Sequence, residues 1–270
     1  QFIDETYKGC DIFFSWGEKQ NNSYLRCKSP FRSLIKVGYI GDYAINFMKN
    51  KPNDEIQELK NKGYKIIAVY DNVAAFDFLI TYTQLNNFYK GLLNLLKEGS
   101  FACVIKNKRI RPLYNYIDKN LVDEILSYSD KVIIMGEKCD LSPAFDSDFL
   151  YSLSLSGLGS VASIWGKKTI FYDESGFIDK NQISVNGLII NNIEELIPSL
   201  KLIEKDSCLI DKNSFIDPFV DGNAQNRIVE YINLLLSLTE KSKFDMIRES
   251  NIIYKKKYGN DKVLINELYS

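Results

Sequence analysis

Residues 154–161, Ser154 to Val161 (SLSGLGSV), best combine residue type and spacing for chemistry. Gly157 and Gly159 permit close backbone approach and unusual dihedrals. A short helix is expected to follow this turn. Ser160 and Val161 would then present unpaired N–H groups at its start, where the helix dipole adds positive charge. Such an end suits a phosphate or pyrophosphate, although the same turn would also serve plain packing. It is neither a Walker loop nor the GxGxxG dinucleotide fingerprint.

The other candidates stand at the ends of apolar runs. Asp71 and Asn72 follow the run 65–70, placed either to orient a sugar or to close an Asx turn. Lys106, Lys108, Arg109 and Arg111 follow the run 102–105. They could pair with a phosphate or form a solvated loop, with Lys106 best placed. Glu137 lies just past the run 132–135 and could bond a sugar or ribose hydroxyl, or simply be exposed. Asp173 and Glu174 end the run 169–172, as hydroxyl ligands or as a strand-end cap. Asp221, in the shaped loop DPFVDG, is a helix cap or a ligand contact. Arg227, one turn later, could reach a phosphate or a carboxylate. No DxD pattern or ligand cluster suggests a metal. The chain has no His, which excludes Ser-His-Asp and Cys-His catalysis within it.

These residues need a frame. Strand candidates are 11–15, 34–37, 65–70, 102–105, 132–135, 169–172 and, more weakly, 187–190. Most are rich in Val, Ile and Phe, as parallel strands buried on both faces require. Helical patterns cover 84–97, 119–128, 193–203, 223–238, 242–258 and 261–268. In 223–238 the stripe Ala224, Ile228, Tyr231, Ile232, Leu235 lies on one face, with Asp221 or Asn223 able to cap its start. The alternation predicts an α/β, doubly wound, Rossmann-like parallel sheet. The polar stretch 20–32 reads as a hinge. Expected domains are 1–33, a remnant of a preceding domain with its linker; 34–238, the Rossmann-like domain; and 239–270, C-terminal helices packing back toward the hinge.

Lys plus Arg is 34 against 35 for Asp plus Glu, so nucleic acid is not expected as a partner. The five Cys form no CxxC pair. Reduced thiols and a cytoplasmic location are the expectation. No apolar run approaches the roughly 18 residues of a membrane span. The chain starts at Gln1 without a signal pattern and reads as the later part of a longer protein.

Several stretches together resemble the C-terminal, donor-binding half of GT-B glycosyltransferases, of the bacterial capsule and O-antigen type that includes the β-Kdo transferases. DIFFSWG at 11–17 with IKVGY at 35–39 looks like the end of the first domain. IIAVYDN at 66–72 resembles the first strand and loop of the second. FY at 88–89 through VIKNK at 104–108 is similar to the family's helix, strand and IKxK ending. LSGLGSV at 155–161 with WGKK at 165–168 resembles its donor-phosphate loop. DPFVDGNAQNR at 217–227 and YKKKYGNDKV at 254–263 look like the closing DPFxDGxAxxR and YxxxWGxDKV, with Tyr258 in place of Trp. The resemblance implies a nucleotide-sugar, CMP- or UDP-linked, as donor substrate with no other cofactor and no metal. It implies a saccharide or lipid-linked acceptor and peripheral membrane association through the full-length protein. The donor phosphate would lie on Gly157, Gly159, Ser160, Val161 and Lys106. Its sugar and nucleoside would lie on Asp71, Asn72, Glu137, Asp173, Asp221 and Arg227. The catalytic base would come from the preceding domain. A teichoic-acid-type polyol-phosphate transferase, or a non-catalytic module of a polysaccharide-assembly complex, are the alternatives.

Overall fold

The computed structural model describes residues 9–26, 28–72, 80–106, 113–115, 117–135, 141–176, 187–205 and 216–266. In chain order the elements are β1 (Cys10–Ser15), α1 (Glu18–Arg26), β2 (Phe31–Lys36), α2 (Asp42–Lys49), α3 (Asp54–Asn61), β3 (Lys65–Tyr70), α4 (Tyr82–Glu98) and β4 (Phe101–Lys106). They continue with α5 (Lys119–Leu126), β5 (Val132–Ile134), α6 (Ser142–Asp146), β6 (Phe149–Leu153), α7 (Gly157–Ile164), β7 (Thr169–Tyr172) and β8 (Gly187–Ile190). Last come α8 (Leu196–Lys205), α9 (Ala224–Ser237), α10 (Lys243–Tyr258) and β9 (Val263–Ile265). No described helix is long and apolar enough to cross a membrane.

Two compact units result, Gln1–Asn46 with Lys212–Ser270, and Phe47–Asp211. These limits differ from the expected 34–238. Strand β2 runs parallel to β1 and antiparallel to β9, in a three-stranded sheet of order β1-β2-β9. Helices α9 and α10 cover one face of it, where Tyr231 and Tyr254 pack with Ile35, Val37 and Val263. On the other face Tyr24 of α1 packs with Phe31 and Leu34. Within the stretch 20–32, expected as a hinge, residues 20–26 belong to the helix that links two parallel strands and residues 31–32 open β2. Its polarity belongs to a helix with one buried side. Residues 261–268 were expected to be helical. Asn260–Lys262 forms a 3-10 turn, and Val263–Ile265 is a strand because its backbone pairs with β2.

The second unit is a six-stranded, all-parallel sheet of order β5-β4-β3-β6-β7-β8. Alternate residues face opposite ways. Ile67, Val69, Cys103, Ile105, Tyr151 and Tyr172 join the large core under α4, α5 and α8. Ile66, Ala102 and Val104 meet Ile56 and Leu59 of α3 on the other face. This is the doubly wound, Rossmann-like fold that the alternation predicts. Helix α4 starts at a capping box between Thr81 and Gln84 and stops at Gly99, whose φ of 96° a side chain would disfavour. Helices α3 and α6 were not expected from the sequence, nor was the central strand β6. Its run FLYSL carries a Tyr and a Ser, which mask a buried strand.

Candidate functional site

In this sheet the chain runs outward from β3 through β4 to β5, then returns to β6 on the other side of β3 and continues to β8. Ligands of open α/β sheets bind beyond the carboxyl ends of the strands where the order reverses. Here that place lies between β3 and β6. The register aligns the strand ends: Tyr70 is level with Lys106 on one side and Ser152 on the other, and Leu153 is level with Tyr172. One edge therefore gathers Lys106, Asp71 with Asn72, the loop 154–156 leading into α7, and Asp173. Glu137, Lys108, Arg109 and Arg111 lie outside the described residues.

Helix α7 starts earlier than expected. Ser156 is its N-cap and accepts from the Gly159 N–H at 3.0 Å. The Ser160 N–H, expected to be unpaired, donates to the Ser156 carbonyl at 2.9 Å. Helix geometry leaves Gly157 and Leu158 as the first-turn N–H groups without an intrahelical acceptor. The reason is local. Ser156 has extended backbone and an oxygen three residues before Gly159, the pattern of a serine cap. Ser160 and Val161 are buried, and the Ser160 hydroxyl has no partner among the described residues. Gly159 lies against β6, where an added Cβ would fall 2.5 Å from Ser152 Oγ. Around Gly157 the same atom would meet nothing within 4 Å.

Asp71 is held from below. The Tyr89 hydroxyl, on α4, donates to its Oδ2 at 3.1 Å. Burial, followed by the Asp71 charge, raises the Tyr89 phenol far above its usual pKa, so it stays a donor. Asp173 is buried. Its carboxylate accepts from the Ser175 hydroxyl at 2.5 Å and its carbonyl from the Asn191 amide at 2.5 Å. The next residue, Glu174, is exposed and accepts from Tyr172 at 2.8 Å and from Asn87 at 3.1 Å. Among the described residues no group of His, Cys, Asp and Glu could hold a metal ion.

Asp221 and Arg227 belong to the other unit. Arg227 is 3% exposed. It donates through both Nη atoms to Asp221 at 2.8 Å and through Nε to the Val37 carbonyl at 2.8 Å, with Phe219 3.7 Å from its guanidinium. Asp221 is thus a carboxylate partner of the kind expected for Arg227. Burial would raise the Asp221 carboxyl, but the Arg227 bonds outweigh it and hold its pKa below the usual range. Neither expected cap forms from the side chain of Asn223 or Asp221. Asp42 instead accepts from the Ala224 N–H at 3.0 Å. Asp217 is fully buried and accepts from the N–H groups of Tyr39, Phe219 and Val220. The DPFVDG motif thus shapes a loop through the buried Asp217 carboxylate and the exposed Asp221 carboxylate that holds Arg227.

The sequence matches no family model and no curated protein sequence. The fold matches solved structures. The S. aureus MnaA–UDP co-structure is 16% identical with a TM-score of 0.54, covering 86% of this chain and 63% of that one. The wall teichoic acid polymerase TagF (H548A) is 16% identical at 0.54, covering 89% and 61%. The Methanocaldococcus jannaschii UDP-GlcNAc 2-epimerase, in complex with UDP-GlcNAc and UDP, is 16% identical at 0.54, covering 83% and 61%. At this identity the likeness to these structures is one of fold, the doubly wound, Rossmann-like α/β arrangement described above. The chain spans about three fifths of their length.

Proposed function

We propose that the unit Phe47–Asp211 binds a nucleotide-sugar at the β3/β6 crevice, as the donor-binding part of a metal-independent glycosyltransferase of surface-polysaccharide type. The observation that carries this is the coincidence of the strand-order reversal with Asp71 and Asn72 on one side and the serine-capped start of α7 on the other. The Gly157 and Leu158 N–H groups, with Gly159 allowing the helix end to sit tightly on β6, would face the donor phosphate. Lys106, one strand over, would add charge as the leaving phosphate forms. Asp71, Asn72 and Asp173 would take hydroxyl groups. Asp221 and Arg227 are assigned a structural role. Solved structures of like fold that contain UDP or UDP-GlcNAc lend support. The β-Kdo transferase resemblance suggests a CMP- or UDP-linked donor, with a saccharide or lipid-linked acceptor. The likeness to TagF keeps polyol-phosphate transfer as the second reading.

Calorimetry with CMP-, UDP-, GDP- and CDP-linked donors separates these readings. Gly157→Pro tests the phosphate role directly. Ser156 has ψ of 144°, compatible with a following proline, and the first helical position tolerates one. The substitution deletes one N–H and leaves the helix. Affinity should fall about tenfold with unchanged thermal stability. Equal affinity would refute the assignment of the helix end to phosphate.

A further inference from the structure

The hydroxyl that meets Asp71 belongs to a residue too deeply buried to touch a ligand. Tyr89 is fully buried, seven residues into α4, with its ring edge-on to Phe88 at 5.4 Å. Phe88 in turn stacks on Tyr151 of β6 at 4.2 Å. The Tyr89 ring therefore cannot turn without disturbing the core beneath the switch point. Its hydroxyl meets Asp71 just past the end of β3. Asp71 is only partly buried.

We propose that Tyr89 is a positioning residue that fixes the Asp71 carboxylate to receive ring hydroxyls of the bound nucleotide-sugar. The proposal rests on the nucleotide-sugar reading and extends it. An ionised carboxylate only accepts hydrogen bonds and repels phosphate. Its complement in the crevice is a hydroxyl-bearing ring. Strands β3 and β6 are neighbours, about 4.8 Å apart, so the hydroxyl site and the helix-end phosphate site are adjacent. Tyr89 donates to one carboxylate oxygen and thereby sets the direction of the other.

Three variants test this: Tyr89→Phe, Asp71→Asn and the pair together. Tyr89→Phe removes only the hydroxyl and keeps the packed ring. The probes are UDP-GlcNAc and CMP, which carry ring hydroxyls, and inorganic pyrophosphate, which does not. Tyr89→Phe should weaken binding of whichever nucleotide probe the wild type binds by about tenfold and leave pyrophosphate unchanged. The double variant should bind no more weakly than Asp71→Asn alone, because Tyr89 acts through Asp71. Additive losses, or equal losses for pyrophosphate, would mean that Tyr89 merely supports the fold, and overturn the proposal. Unchanged nucleotide affinity in Tyr89→Phe overturns the proposal alone. A wild-type chain that binds neither nucleotide probe overturns the nucleotide-sugar reading and the proposal with it.

Discussion

Gly159→Ala tests how tightly the helix end is seated on the sheet. The new Cβ would lie 2.5 Å from Ser152 Oγ, 2.8 Å from Ser156 Oγ and 2.9 Å from Ser152 Cβ. Ordinary contact begins at 3.4 Å, so the closest atom stands about 0.9 Å too near. Ser152 Oγ could rotate away, but only by giving up its 2.8 Å bond to Ser156 Oγ and its 3.1 Å bond to the Ser154 carbonyl. Its Cβ, fixed to a central strand, cannot move independently. The helix must lift, and the Ser156 cap would lift with it. Overpacking of this kind costs about 1–3 kcal/mol. Alanine's better helix propensity returns up to about 1 kcal/mol. The net expectation is a loss of about 1–2 kcal/mol in urea unfolding of the Phe47–Asp211 unit, with weaker nucleotide binding. Gly157→Ala is the internal control, since its Cβ meets open space. It should be neutral or stabilising by up to about 1 kcal/mol. A Gly159→Ala chain as stable as the Gly157→Ala chain would refute the close seating of α7 on β6.

Two further predictions concern buried charges. Asp221→Ala removes the carboxylate partner of the Arg227 guanidinium and should destabilise the unit Gln1–Asn46 with Lys212–Ser270 by about 1–2 kcal/mol, less than for a fully buried pair because Asp221 is 41% exposed; a chemical-denaturation loss below about 0.5 kcal/mol would contradict the structural role. Lys167 donates to the carbonyls of Phe145 and Ser147, and its burial lowers its pKa to about 8. The unfolded chain therefore holds this proton more tightly than the folded one. The cost of the buried charge is present below pH 8 and is relieved as pH rises from about 8 toward the ordinary lysine value near 10.5. Relative to Lys167→Met, the wild type should gain at most about 3 kcal/mol between pH 7 and pH 10.5. A stability difference constant across that range, measured by denaturation at each pH, would exclude the shifted lysine.

Much of the second unit was legible because its strands are chemically uniform. KIIAVY and TIFY have little apolar competition from helix periodicity, and both strands have the limits read for them. The placing of Asp71, Lys106 and Asp173 at one sheet edge follows from those strand ends. Strand β6 was hidden because Ser152 interrupts its apolar run. That serine is buried and bonded to Ser154 and Ser156, and such partners exist only once the loop has folded back. The switch point depends on β6 lying beside β3, which are distant in sequence.

The sequence by itself determined the α/β class, the helix start among glycines and serines, and the shaped DPFVDG loop, since these depend on side-chain size, backbone freedom and local hydrogen bonding. Only the tertiary structure decided that Arg227 meets the Val37 carbonyl, that Tyr89 meets Asp71, and that Val263–Ile265 is a strand. Each of those depends on groups far apart along the chain, and a strand with no partner or a buried guanidinium with no acceptor has no local signature to read.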